Sequence, residues 1–234
     1  KSAVWHKKAR GIYELYMMDS HTMYDEIMKY TNDNNKFVRR EAQAAIIGFA
    51  GFNGLVFLNN LTNPMYEWQQ IKLLEQLQSK ESTSMEYLPV WIKSENKYVV
   101  QFALKLAEVY QQFQVHDVVV GCLQLDSEKI RTHAITTLGK IAMPETTGIL
   151  KAQYPKETIL NQRLILKQIA EIGSHADFTF LIDALRCNND DIKLEAARAI
   201  VCVDNTGWQL LFEQAAEDDV LQSISKQVEK EMKV

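Results

Sequence analysis

Apolar residues recur along this chain about every 31 residues, which restricts it to a succession of similar units. Ala42, Leu73, Ala103, Ala134, Ile165 and Ala196 are separated by 31, 30, 31, 31 and 31 residues. The positions four later, Ile46, Leu77, Ala107, Leu138, Ile169 and Ile200, repeat the same spacings. A step of four keeps side chains on one helical face, so each unit contains a helix, termed B, with an apolar stripe. A preceding helix A carries Phe57, Leu88, Val119, Leu150, Leu181 and Phe212, with Leu61, Ile92, Leu123, Tyr154, Leu185 and Ala216 four residues on, again at a spacing of 31. Small residues dominate the first B column and let a neighbouring helix approach closely. One αα pair cannot bury both faces alone, so about seven pairs stacked on one another are expected.

The turns agree with this register. Asn32-Asp33-Asn34-Asn35, Ser94-Glu95-Asn96, Asp126-Ser127 and Asn188-Asn189-Asp190-Asp191 fall between A and B. These residue types cap helix N-termini. Gly51, Gly173 and Gly207 fall near the ends of B or before the next A. Pro89 lies within an A helix and is expected to kink it. Residues 1–20 are expected to form an N-terminal helical cap, centred on Ile12, Leu15 and Tyr16 and without a clear partner. Residues 21–216 carry the repeats, and 217–234 form a polar C-terminal cap helix, since the B columns there meet Gln227 and Glu231. No internal linker is visible, which predicts one domain over 1–234.

Composition narrows the function classes. A net charge of −4 argues against a general nucleic-acid binder, which needs a basic surface. Cys122, Cys187 and Cys202 have no CxxC spacing and suit buried thiols in the cytoplasm. No uninterrupted apolar run approaches the ~18 residues of a membrane span. Lys1, Lys7, Lys8 and Arg10 resemble the basic flank found cytoplasmic to a membrane helix, so a tether through a segment outside these residues is one expectation.

The stretches VRREAQAAIIGFAG, IRTHAITTLGKIA and DIKLEAARAIVCVD resemble helix B of HEAT repeats, especially the short HEAT-like class. Tetratricopeptide and ankyrin motifs are missing. The resemblance covers roughly residues 21–216 and implies a right-handed α-α superhelix, an α-solenoid with helix B on its concave side. It also implies that Arg39, Arg131 and Lys193 tether neighbouring repeats through turn acids, here Asp33, Asp126 and Asp190.

Some HEAT-like proteins are enzymes, so catalytic groups must be sought directly. Deoxyhypusine hydroxylases hold two irons with His-Glu pairs on helix B. The matching pairs here are Arg40-Glu41, Thr132-His133 and Leu194-Glu195, and the ligands are missing. His6, His21, His116, His133 and His175 include no pair three or four apart, so no zinc pair is expected on one helix. Phosphate loops and nucleophile elbows are likewise missing from the sequence. No metal, no cofactor and no catalytic residue is expected.

The B face opposite the apolar stripe can be read from ~100° per residue. One column is Arg40, Ile71, Gln101, Thr132, Arg163 and Leu194, and the other is Ala44, Glu75, Lys105, Thr136, Lys167 and Arg198, with Lys140 nearby. From the third repeat on this face leans basic. The expectation is therefore a non-enzymatic scaffold or adaptor. Arg40, Gln101, Lys105, Thr132, Thr136, Lys140, Arg163, Lys167 and Arg198 would receive an acidic or polar segment of another protein. The alternatives are a HEAT-like enzyme, of lyase or nucleic-acid glycosylase type with a concave pocket, and a purely structural spacer.

Overall fold

The computed structural model describes residues 3–80, 85–216 and 218–232, and within them the protein is all-α. Lys1, in the basic flank, and residues 2, 217, 233 and 234 of the expected caps lie outside this set. Short and long helices alternate. After α1 (Ala3–Met17) come α2 (Tyr24–Met28) and α3 (Lys36–Ala50), a 3₁₀ run (Gly51–Asn60) and α4 (Glu67–Gln78), then α5 (Leu88–Ile92) and α6 (Lys97–Val109). The alternation continues with α7 (His116–Gly121) and α8 (Glu128–Lys140), then α9 (Thr146–Gln153) and α10 (Ile159–Ile172). It ends with α11 (Phe178–Leu185) and α12 (Asp190–Val203), then α13 (Gly207–Ala215) and α14 (Asp219–Met232). The chain divides into two compact units, 1–106 and 107–234.

In the first unit α3 is central. It packs against α1, α2, the 3₁₀ run and α4. Helix α1 does have a partner, because Ala9 and Ile12 are buried as it lies along α3. The column residues Val38, Ala42 and Ile46 are fully buried. Helical structure runs on from α3 to Asn60, and this stretch is long and apolar enough to cross a membrane by composition, but most of it is buried in the fold. Gly51 ends α3 with φ +54°, a left-handed conformation that favours glycine. Helix α6 buries Val99, Val100, Phe102, Ala103, Leu104 and Leu106, while Lys97, Gln101, Lys105 and Glu108 share one polar stripe.

In the second unit the long helices lie side by side in chain order, α8 on α10, α10 on α12 and α12 on α14. Short helices cover them, with α11 against α12 and α13 against both α12 and α14. Ala134, Leu138, Ile165, Ile169, Ala196 and Ile200 are fully buried between them. Gly207 allows close approach, since a Cβ there would stand 2.0 Å from the Ile200 carbonyl oxygen.

Local signals hold with exceptions. Asn35 Oδ1 accepts the Phe37 and Val38 amides at 2.9 and 3.4 Å, and Asn189 Oδ1 accepts that of Ile192 at 3.0 Å. Ser127 stands at the start of α8 without a side-chain capping bond. Pro89 does not kink a helix. It sits in the first turn of α5, where its missing N–H has no partner to lose. The last pair slips in register: Leu211 and Ala215 are buried, while Phe212 is 48% exposed. Helix α14 is amphipathic rather than uniformly polar and buries Leu221, Ile224, Ser225 and Val228.

Candidate interaction face and the polar network behind it

The outward columns divide into two kinds of surface. In the second unit the basic residues already have acidic partners on the next long helix. Lys140 Nζ lies 2.5 Å from Glu171, while Arg163 lies 3.7 Å from Asp191 and 3.8 Å from Glu195. Lys167 reaches Glu195 at 4.0 Å, and Arg198 reaches it at 3.4 Å. Arg198 also grips Glu231 with two bonds of 2.9 Å. The threonines are engaged too. Thr132 Oγ1 donates to Asn161 Oδ1 at 2.7 Å, and Thr136 Oγ1 donates to the Thr132 carbonyl at 3.1 Å. The basic lean read from single helices is therefore neutralised in place by carboxylates roughly one repeat later. An exposed pair such as Lys140–Glu171 adds at most about 1 kcal/mol, whereas the pairs on Glu195 involve a buried carboxylate.

In the first unit Gln101 is buried and no part of an open face. Gln101 lies on the polar stripe of α6 between exposed Lys97 and half-buried Lys105, so the outward column is covered at that one position. Lys105 is half-buried and, among the described residues, meets no carboxylate within 4 Å. Arg40 is different again. Its guanidinium lies over the Trp68 ring, 4.4 Å from the centroid, with Lys72 Nζ 5.7 Å from the same ring. Trp68 is 56% exposed, and Ile71 one turn along α4 is 42% exposed. Arg40, Ala44, Trp68, Lys72 and Gln76 line a depression of about 160 Å³ between α3 and α4. A half-exposed tryptophan beside a stacked arginine combines the two side chains most often found at energetic centres of protein interfaces. Sequence reasoning selected Arg40 but passed over Trp68. Trp68 lies three residues before Ile71 of the outward column, at the position that Phe37 and Tyr98 hold in neighbouring repeats. No family model and no curated protein matches the sequence.

The residues expected to join repeats are placed as follows. Arg39, 3% exposed, donates to the backbone carbonyls of Asp33 and Pro64, the latter at 3.2 Å. The Asp33 carboxylate instead accepts the Asn35 amide at 2.7 Å and faces Lys8 at 3.8 Å. Arg131 takes the carbonyls of Leu125 and Asp126 at 3.0 and 2.9 Å, and its carboxylate partner is Glu157 at 2.8 Å. Lys193 lies 3.9 Å from Asp190 on its own helix. For Arg39 and Arg131 the turn aspartates thus contribute main-chain oxygens. Carbonyls just before a helix have no intrahelical donor, and a guanidinium fork fits them.

Glu157 was not singled out from sequence, yet it is the centre of this network. Its carboxylate also accepts from Gln153 Nε2 and Asn161 Nδ2, both at 2.7 Å. Burial pushes its pKa up, but bonds from Arg131, Asn161 and Gln153 and the Arg131 charge outweigh this and hold it below the usual value. Asp177 follows the same pattern: burial raises it, and Lys151 at 2.6 Å and the Ser174 amide at 2.8 Å lower it further. A carboxyl depressed in the folded state stabilises the fold above its unfolded pKa of ~4 and stops doing so as pH falls through the lower folded value. Urea midpoints measured at pH 7, 5 and 3 should therefore stay level to about pH 5 and then fall. Glu157→Gln should flatten that fall. Of the three thiols expected to be buried only Cys122 is, and burial pushes it up to about 11, which leaves it unreactive; Cys187 is half-buried and Cys202 exposed.

Proposed function

We propose that this chain is a HEAT-like α-solenoid acting as a protein-interaction scaffold, and that it takes its partner on the α3–α4 surface centred on Trp68 and Arg40. The scaffold reading is supported by the alternation of short and long helices in register with the 31-residue columns. Repeat stacks of this kind present extended surfaces for partners. The single observation that carries the location is the half-exposed Trp68 with Arg40 stacked on it beside a small depression. The ring and Ile71 offer apolar area, while Arg40 and Lys72 offer donors to a carboxylate or carbonyl of the incoming segment. The wider basic stripe of α8, α10 and α12 has a different role in this proposal, as mortar between helices.

The test is quantitative affinity capture from the source cell, read by mass spectrometry, followed by titration of the captured protein against purified chain. The double variant Arg40→Glu/Trp68→Ala should weaken binding about 30-fold or more, the loss of an interface centre worth at least ~2 kcal/mol. The variant Lys140→Ala/Lys167→Ala should bind as the parent does. Equal binding by parent and Arg40→Glu/Trp68→Ala proteins would reject this location.

A further inference from the structure

We propose that His116, Asp117 and Glu145 form a divalent-cation site suited to zinc, which joins the start of α7 to the start of α9. Their ligand atoms, one ring nitrogen and two carboxylate oxygens, all lie within 4.8 Å of one another. The sequence offers no hint of this, because Glu145 is remote along the chain and histidine spacing alone points to no zinc pair.

The geometry favours a ligand role for the imidazole. His116 is 3% exposed, and its Nε2 lies 2.8 Å from Thr146 Oγ1. Thr146 is itself fully buried and accepts the Met143 amide at 2.8 Å, so the ring is anchored along one edge. The other edge turns Nδ1 towards Asp117 Oδ1 at 3.4 Å, too long for a good hydrogen bond between these atoms. That separation is close to the ~3.4 Å expected between two ligands on one tetrahedral zinc with bonds near 2.1 Å. The Glu145 side chain is exposed, and its carboxylate oxygen lies within 4.8 Å of the other two ligand atoms. A buried imidazole that meets one carboxylate only at 3.4 Å, with a second carboxylate oxygen in the same cluster, differs from an ordinary acidic surface cluster.

In the occupied site the neutral imidazole carries its proton on Nε2 and donates it to Thr146 Oγ1, which frees the Nδ1 lone pair for the ion. Two carboxylates neutralise the dication and outweigh the partial positive charge of the helix starts. A fourth position remains for water or a group from another molecule. One nitrogen and two oxygens suit zinc better than magnesium, which prefers an all-oxygen octahedron.

The experiment is calorimetric titration of zinc chloride into the full chain under reducing conditions, with magnesium chloride as the comparison. Asp117→Asn and Glu145→Gln change exposed side chains and should leave the helical circular-dichroism signal intact. The expected result is one saturable zinc equivalent that magnesium does not match. Each carboxylate variant should weaken it at least tenfold, and Thr146→Val by about 10–100-fold through loss of the ring's anchor. Zinc should also raise the melting temperature of the parent and of neither carboxylate variant. No saturable uptake overturns the proposal. So does uptake that both carboxylate variants keep, which would assign the zinc to other groups, such as His175 beside Asp204.

Discussion

Replacing Glu157 by alanine should destabilise the protein by ~3–5 kcal/mol, the range for removing one partner of a buried charged network. The carboxylate is buried and accepts from Arg131, Gln153 and Asn161 at 2.8, 2.7 and 2.7 Å. Its loss removes the acceptor of Arg131 Nε and of the buried Asn161 amide, while Gln153 Nε2 keeps the Leu123 carbonyl at 3.2 Å and Arg131 keeps its two carbonyls. Glu157→Gln keeps the shape and an acceptor oxygen but removes the charge, so a smaller loss of ~1–3 kcal/mol is expected. Urea denaturation followed by circular dichroism distinguishes the two. Arg131→Ala should be milder than Glu157→Ala, because Glu157 would keep its two amide donors. The opposite order would mean that the arginine, rather than the carboxylate, organises the junction.

The second large effect is expected at Phe102. This side chain is fully buried, as are Val99, Ala103 and Leu106 on the same helix. Phe102→Ala should cost ~3–5 kcal/mol, combining lost transfer energy with the cavity left behind. For a chain of this size that is a fall in melting temperature of about 10 °C. Phe102→Leu should lose much less, because it keeps most of the volume. A small effect of Phe102→Ala would mean that α6 can collapse around the vacancy and is less rigidly packed than its burial indicates.

Much of the helix pattern was legible because the burial stripes are long and evenly spaced. Ala42, Ile46, Leu138 and Ile200 are buried as their columns predict. The pattern failed where a local feature overrode the period. Phe212 was placed in the core by counting, but the final pair slips and Leu211 takes its place. Angle counting puts Gln101 outside, but it is covered although Lys97 and Lys105 on the same stripe are exposed and half-buried. The candidate face was legible only in part. Arg40 falls in its outward column, whereas Trp68 stands three residues before Ile71, off the counted positions, and emerges only with Arg40 stacked on it. The basic residues of α10 and α12 looked available because a single column contains no information about the acids opposite it. Glu195, buried and close to Arg163, Lys167 and Arg198, belongs to a different face of its own helix. Glu157 and the His116–Asp117–Glu145 group were invisible for the same reason: they depend on which turns the fold brings together.

The most direct test is a hydrogen-exchange footprint of the captured partner on the full chain, read by mass spectrometry. Binding at the proposed surface predicts added protection in peptides covering 36–50 and 67–78, and none in peptides covering 159–172 and 190–203. Protection confined to the second pair of segments, or spread evenly over both, would contradict a partner site centred on Trp68 and Arg40.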